Sequence, residues 1–279
     1  MNDTLKKIPY LNLFLFILTI ITTLIAGSYM EGGNILSLHD LKLGIPFSFT
    51  LLTILGFHEF GHYFYAKKNK ISVSLPYFIP APTFIGTFGA LIKIKSPISN
   101  KKALLEIGAS GPIAGFIITI PLLFYGFTKS TVIEINSEPS IVLGESLVIR
   151  FFTFLVFPDI SQSQDIMLHP IAFASWIGLL ITMLNLLPIG QLDGGHIVYA
   201  IFGKNHHMIS KIFFLFLIPL SFLSINWIIW GLVIFILMKT LKHPPILDVD
   251  TVLTFREKLI GFVCLLIFII SFIPVPFEI

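Results

Sequence analysis

The stretch His58-Glu59-Phe60-Gly61-His62 lies near the end of an apolar run that begins at about Leu43. A helix turns 100° per residue, so histidines four apart share one face, one turn apart. Two imidazoles so placed can grip a single zinc ion. A carboxylate beside the first can take a proton from a water that the metal polarises. The pattern is short enough to arise by chance in a soluble protein. Here it falls in a segment that reads as membrane-spanning, where ionisable side chains are costly and mark function by default. The plainer alternative, two helix-packing histidines beside a solvated glutamate, runs against that cost.

The surrounding chain has the composition of a membrane protein. It has 279 residues, 55% of them hydrophobic and only 12% charged, against roughly 25% charged in an average soluble domain. Mean hydropathy is +0.92. The length leaves little for a separate soluble domain, and a net charge of +3 with no basic tract excludes a nucleic-acid partner. The single cysteine, Cys264, sits in the last apolar run and rules out an internal disulfide framework or a cysteine metal site. Lys6 and Lys7 precede a long apolar run as in a signal peptide, but no small-residue cleavage site follows, so a retained anchor is expected.

Seven candidate spans emerge: about Ile8–Tyr29, Leu43–Ala66, Ala103–Phe127, His169–Leu187, Ile209–Ser224, Trp227–Leu241 and Leu259–Pro274. The fifth and sixth are short and joined only by Ile225-Asn226, so one long bent helix is an alternative. A further run, Ile141–Phe157, is interrupted by Glu145 and Arg150 and reads as an interfacial or half-inserted helix within an outer segment, Thr128–Leu168. With the N-terminus inside, fifteen of the eighteen basic residues fall inside, leaving Lys42, Lys129 and Arg150 outside. Counting Ile141–Phe157 as a crossing would misplace six of the fifteen. The reading is therefore an all-α polytopic membrane protein, a single domain over 1–279, with about seven transmembrane helices.

A catalytic zinc usually takes three protein ligands and keeps its fourth position open. The third candidate lies in Asn185-Leu-Leu-Pro188-Ile-Gly190-Gln-Leu192-Asp193-Gly194-Gly195, which closes the fourth span. Asp193 is the only carboxylate between Asp165 and Asp248. A capped turn at a membrane exit is the competing explanation, since Asp-Gly is common there. A two-histidine site on the same inner side weighs against it.

The two motifs together resemble the intramembrane metalloproteases of the site-2 protease family. That family pairs His-Glu-x-x-His with a distant Asn-x-x-Pro-x-x-x-Leu-Asp-Gly, and this sequence matches every fixed position. The resemblance implies one zinc held by His58, His62 and Asp193, with Glu59 as general base and acid. It also implies that Asn185 lines the cleft and steadies the substrate backbone. Gly86-Thr-Phe-Gly89-Ala90, Ser110-Gly-Pro-Ile-Ala-Gly115, His169-Pro-Ile-Ala and Phe272-Ile-Pro-Val-Pro-Phe277 look like the branch containing plastid proteases and their bacterial relatives. Many relatives carry a peptide-binding PDZ insert; neither room nor pattern for one is visible here.

Between the second and third spans a short re-entrant or β-hairpin element is expected. Pro76, Pro80 and Pro82, followed by Gly86 and Gly89, exclude a helix interior, and Ala90–Lys95 alternates like a strand. A strand edge there would hold an unwound substrate segment by main-chain pairing; an ordinary surface hairpin is the alternative. Gly111 and Gly115 have the spacing of a helix-packing motif. His196 is read either as a partner of the ligands or as an interfacial histidine, and His39, His169, His206, His207 and His243 as solvated or capping residues.

The function expected is that of a zinc endopeptidase cutting transmembrane substrates near the inner leaflet, as in regulated intramembrane proteolysis. The lipid bilayer is its environment and self-association is left open. The absence of a transit sequence points to a bacterial cytoplasmic membrane with the active site toward the cytoplasm. A zinc-binding scaffold or chaperone without turnover has no use for Glu59, and a metal transporter would carry ionisable residues along successive spans.

Overall fold

The structure is a computed structural model, describing residues 9–34, 37–135, 142–161, 163–238 and 240–278. Lys6 and Lys7, with the anchor's first residues, lie outside the described residues. Helices α1 (Tyr10–Met30), α2 (Ile45–Lys68) and α3 (Lys101–Phe127) fall on the first three apolar runs. Among the described residues, three helical segments are able by length and composition to cross a membrane: Tyr10–Met30, Asp40–Lys68 and Lys101–Phe127. Threonines in α1 return their hydroxyls to carbonyls one turn back, Thr19 to Leu15 and Thr23 to Thr19, so the helix carries them in apolar surroundings without orphan donors. α2 takes Pro46 in its first turn and ends on Lys67 and Lys68, both favourable helix-end chemistry. α3 starts on Asn100, whose side chain accepts from the Ala103 amide. It packs against α2, α5, α6 and α9 and is the spine of the molecule.

Between α2 and α3 the chain forms a hairpin, β1 (Tyr77–Pro80) antiparallel to β2 (Thr87–Leu91). The strand lies earlier than the alternation of Ala90–Lys95 suggests. Beyond Leu91 pairing resumes only as Ser74 with Lys93 and Lys95 with Ser72. Pro76 explains the break, because it has no N–H to continue the ladder. The hairpin lies along α1. Asn12 donates to the Leu75 and Pro76 carbonyls at its base. At its tip Gly86, with φ +81°, packs so closely that a Cβ would lie 2.5 Å from the Thr22 carbonyl oxygen. Only glycine satisfies both demands.

The segment after α3 contains β3 (Thr131–Glu134), β4 (Val142–Leu143), α4 (Leu147–Val156) and β5 (Gln164–Met167). β3 pairs with β5. The ten residues of α4 rise only about 15 Å, half a bilayer core. Val148, Ile149 and Phe152 are buried, whereas Leu147, Phe151, Phe154 and Leu155 are exposed. Then come α5 (Pro170–Asn185), α6 (Asp193–Phe202), α7 (His206–Ser221), α8 (Asn226–Met238) and α9 (Phe255–Ser271), with β6 (Phe277–Glu278) paired to β4. α7 and α8 are two helices packed on each other, not one bent helix. The first ends at Ser221, and Ser224 in the turn between them accepts from the Asn226 side chain. α5, α7, α8 and α9 have 16, 16, 13 and 17 residues, too short to prove a crossing by length alone.

Two apolar clusters form the interior. One gathers Phe47, Leu51, Leu123, Phe127 and Trp176; the other gathers Ala66, Leu104, Leu105, Ile197 and Cys264. The histidine face of α2 lies between them, against α3.

Candidate metal centre

α2 presents His58 and His62 to α3 through a close helix contact. Gly61 lies over the Ser110 carbonyl, where a Cβ would come within 2.5 Å of the oxygen. His62 Nδ1–H donates to the Ile107 carbonyl at 2.7 Å. A carbonyl only accepts, so the proton is fixed on Nδ1 and the Nε2 lone pair is left free to accept. His58 Nε2 stands 3.1 Å from His62 Nε2. Asp193, the first residue of α6, brings Oδ2 to 3.2 Å from His58 Nε2 and 3.3 Å from His62 Nε2. His58, Glu59 and His62 are all buried.

Three atoms able to donate to a metal thus converge with edges of 3.1, 3.2 and 3.3 Å. Lone pairs so close repel unless a cation lies between them. Metal bonds of about 2.0–2.1 Å in a tetrahedron give donor–donor edges of about 3.3 Å, and two imidazoles with one carboxylate are the donors of a catalytic zinc with one position left open. The residues present fit that ion. Glu59 also offers a carboxylate oxygen, within 4.8 Å of the histidine donor atoms. The Asp193 oxygen closes the tighter triangle and leaves Glu59 available for proton transfer.

Asn185, the last residue of α5, points its amide nitrogen at His58 Nε2 from 3.4 Å. All five residues singled out from the sequence are therefore brought together. A cavity of about 730 Å³ reaches His196 on α6 and is lined also by Leu91 of β2, by Ile92 and Lys93 beyond it, and by Gln191 and His243. Gly111 and Gly115, read as helix-packing residues, face the histidines themselves. A Cβ at Gly111 would fall on the His62 ring, 2.5 Å from Cε1, and one at Gly115 would lie 3.2 Å from His58 Nδ1.

Two solvated or capping histidines of the sequence reading need correction. His243 Nδ1–H donates to the Pro244 carbonyl, so its Nε2 accepts from His196 Nδ1–H at 2.7 Å, while Tyr199 stacks on its ring. Burial pushes the His243 imidazole down to about 3, keeping it neutral. His206 is buried and donates from Nε2 to the Gly190 carbonyl. His169 does cap a helix, accepting from the Ile171 amide at the start of α5.

A helical chain with apolar crossing segments that gathers two histidines, a glutamate and a distant aspartate at one buried point is an integral membrane protein with a protease-type metal centre. The sequence model of peptidase family M50 matches residues 46–223. The chain belongs to that family. It is 30% identical over 260 residues to "Probable zinc metalloprotease EGY1, chloroplastic" of Arabidopsis thaliana, covering 88% of this chain and 47% of that one. It is 33% identical over 196 residues to "Probable zinc metalloprotease EGY2, chloroplastic" of Oryza sativa subsp. indica, covering 68% and 36%. The chain thus spans less than half the length of these relatives. Their names place them in chloroplasts and lend no support to a bacterial membrane. No solved structure matches the chain.

Proposed function

We propose that this protein is a zinc endopeptidase that hydrolyses peptide bonds in or near the transmembrane segments of other membrane proteins, the chemistry of regulated intramembrane proteolysis. The observation that carries the reading is the convergence of His58, His62 and Asp193 donor atoms within 3.3 Å, with Glu59 buried beside them. One zinc per chain held there supplies a Lewis acid and makes water a nucleophile near neutral pH. Glu59 takes the proton of the attacking water and returns it to the leaving amine nitrogen. Asn185 steadies the substrate main chain beside His58.

A peptide bond inside a substrate helix is shielded by its own hydrogen bonds and must be unwound before attack. The free edge of β2 holds the unwound segment by main-chain pairing. Two features support this role. Leu91 and Ile92 line the cavity that reaches His196, and α1 covers the other strand. The hairpin follows α1 from Asn12 to Thr22, about 15 Å of helix, so it dips toward mid-membrane depth along α1, with Phe84 and Phe88 exposed. The helices α1, α2, α3, α5, α7, α8 and α9 form seven spans of one domain without a PDZ insert, the N-terminus inside and α4 lying at the outer interface. The basic residues support that orientation, with the centre facing the cytoplasm of a bacterial cell. The decisive test compares membrane proteomes of wild type and a Glu59→Gln strain: an uncut single-span protein should accumulate. Identical proteomes would count against proteolysis.

A further inference from the structure

We propose that His206 and Ser210, one turn apart at the start of α7, are positioning residues for Asp193; this rests on the zinc reading above. Asp193 opens α6, so its carboxylate stands where the loop from Leu186 to Leu192 delivers the chain. The pivot of that loop is Gly190, at φ +55°. Its amide donates to Ser210 Oγ at 2.8 Å, its carbonyl accepts from His206 Nε2–H at 3.1 Å, and the Ser210 hydroxyl donates to the Pro188 carbonyl at 3.2 Å.

Three main-chain groups of the loop are thus held by two α7 side chains, both essentially inaccessible to solvent. Polar side chains in so apolar a setting are costly unless bonded, and these spend their bonds on the loop. The grip is passed directly to the metal centre. A Cβ at Gly195 would collide with the Gly190 carbonyl oxygen, and one at Gly194 with the Leu186 carbonyl oxygen. The atom that His206 holds is the atom against which the first turn of α6 rests. Moving Gly190 therefore moves Asp193 relative to α2, which nothing in α7 touches at the donor atoms themselves.

The test measures zinc affinity of the full chain in nanodiscs by competition with a chromophoric chelator. Ser210→Ala and His206→Ala should bind zinc about 10–100-fold more weakly, the range for groups that orient ligands. Ser210→Thr keeps the hydroxyl and should restore wild-type affinity. A purely architectural role would lower thermal stability and leave the zinc affinity of folded protein unchanged, and that result overturns the inference. If Ser210→Ala does not fold, His206→Gln, which keeps an N–H for the Gly190 carbonyl, against His206→Ala decides the question in the same way. Failure of the zinc reading looks different: wild type and Asp193→Asn would then bind the metal equally poorly, which overturns both.

Discussion

Replacing Gly111 with alanine should disable the metal centre, whereas the same change at Gly115, one turn further along α3, should be nearly silent. At Gly111 the new methyl would sit 2.5 Å from His62 Cε1 and 2.6 Å from Cδ2, where ordinary contact needs 3.4 Å. His62 Nε2, the donor atom itself, lies closer still, so the ring or the helix must shift by more than the roughly 0.9 Å that the Cε1 contact alone demands. Catalytic constellations tolerate about 0.5 Å, and misplacement by 1 Å costs about 10²-fold in rate. At Gly115 the nearest atom, His58 Nδ1, is already 3.2 Å away, so a few tenths of an ångström suffice. Alanine favours a helix over glycine by about 1 kcal/mol at either site, so propensity cancels between the two variants. Zinc content by elemental analysis and cleavage of a transmembrane peptide in detergent read the outcome. Gly111→Ala should lose zinc and about 10²-fold of activity, and Gly115→Ala should keep both. Equal damage at the two positions would mean that this pair only spaces helices, and the reasoning from the His62 contact would be wrong.

Glu59→Gln should lower turnover by about 10²–10⁴-fold while zinc stays bound, whereas Asp193→Asn should lose metal and activity together; a Glu59→Gln enzyme with wild-type cleavage would remove the assigned mechanism. Glu257, ahead of the apolar part of α9, closes a capping box with Thr254. The Thr254 amide, and then the Lys102 ammonium at 3.2 Å, hold its carboxyl below the ordinary 4.5. A depressed carboxylate stabilises the folded state above its unfolded value and ceases to as pH falls through its folded one. Amide-exchange protection in the first turn of α9 should therefore drop below about pH 4.5, and Glu257→Gln should flatten that profile; a wild-type profile that is already flat refutes the linkage. Topology reporters inserted after Lys70 and after Lys129 should report opposite sides of the membrane; the same side for both would dismantle the seven-span arrangement.

The residues that converge at the candidate centre were legible in the sequence because each motif is local. His58 and His62 share a face by helix geometry, and Asp193 stands out as a lone carboxylate in apolar surroundings. The helices were legible for a related reason, since long apolar runs admit little else in a bilayer. What remained hidden depends on contacts between distant segments. Whether 209–241 forms one helix or two depends on the turn from Phe222 to Ile225, where Asn226 donates to Ser224, and on the packing of α7 on α8, which no periodicity encodes. The strand of the hairpin was misplaced because Pro76 interrupts its partner, fifteen residues away from Leu91. His206 and His243 were read as solvated or capping residues and Ser210 was not singled out, because their partners come from distant parts of the chain, main-chain groups of a folded loop among them, and leave no trace in composition. The spacing of His206 and Ser210, four apart on one face, was the available signal.

The face that α3 turns toward the histidines has a bearing on how such a protein can change over time. At Gly108, Gly111 and Gly115 an added methyl meets, in turn, the His196 Cβ at 2.8 Å, the His62 ring and the His58 imidazole. This wall of the site is main chain, and main chain cannot be altered one side chain at a time. On the proposed function, drift in substrate preference would fall to residues such as Leu91, Ile92, Lys93 and Gln191, which border the cavity reaching His196 with side chains that can be exchanged. One half of the centre is frozen by sterics and the other is free to diversify.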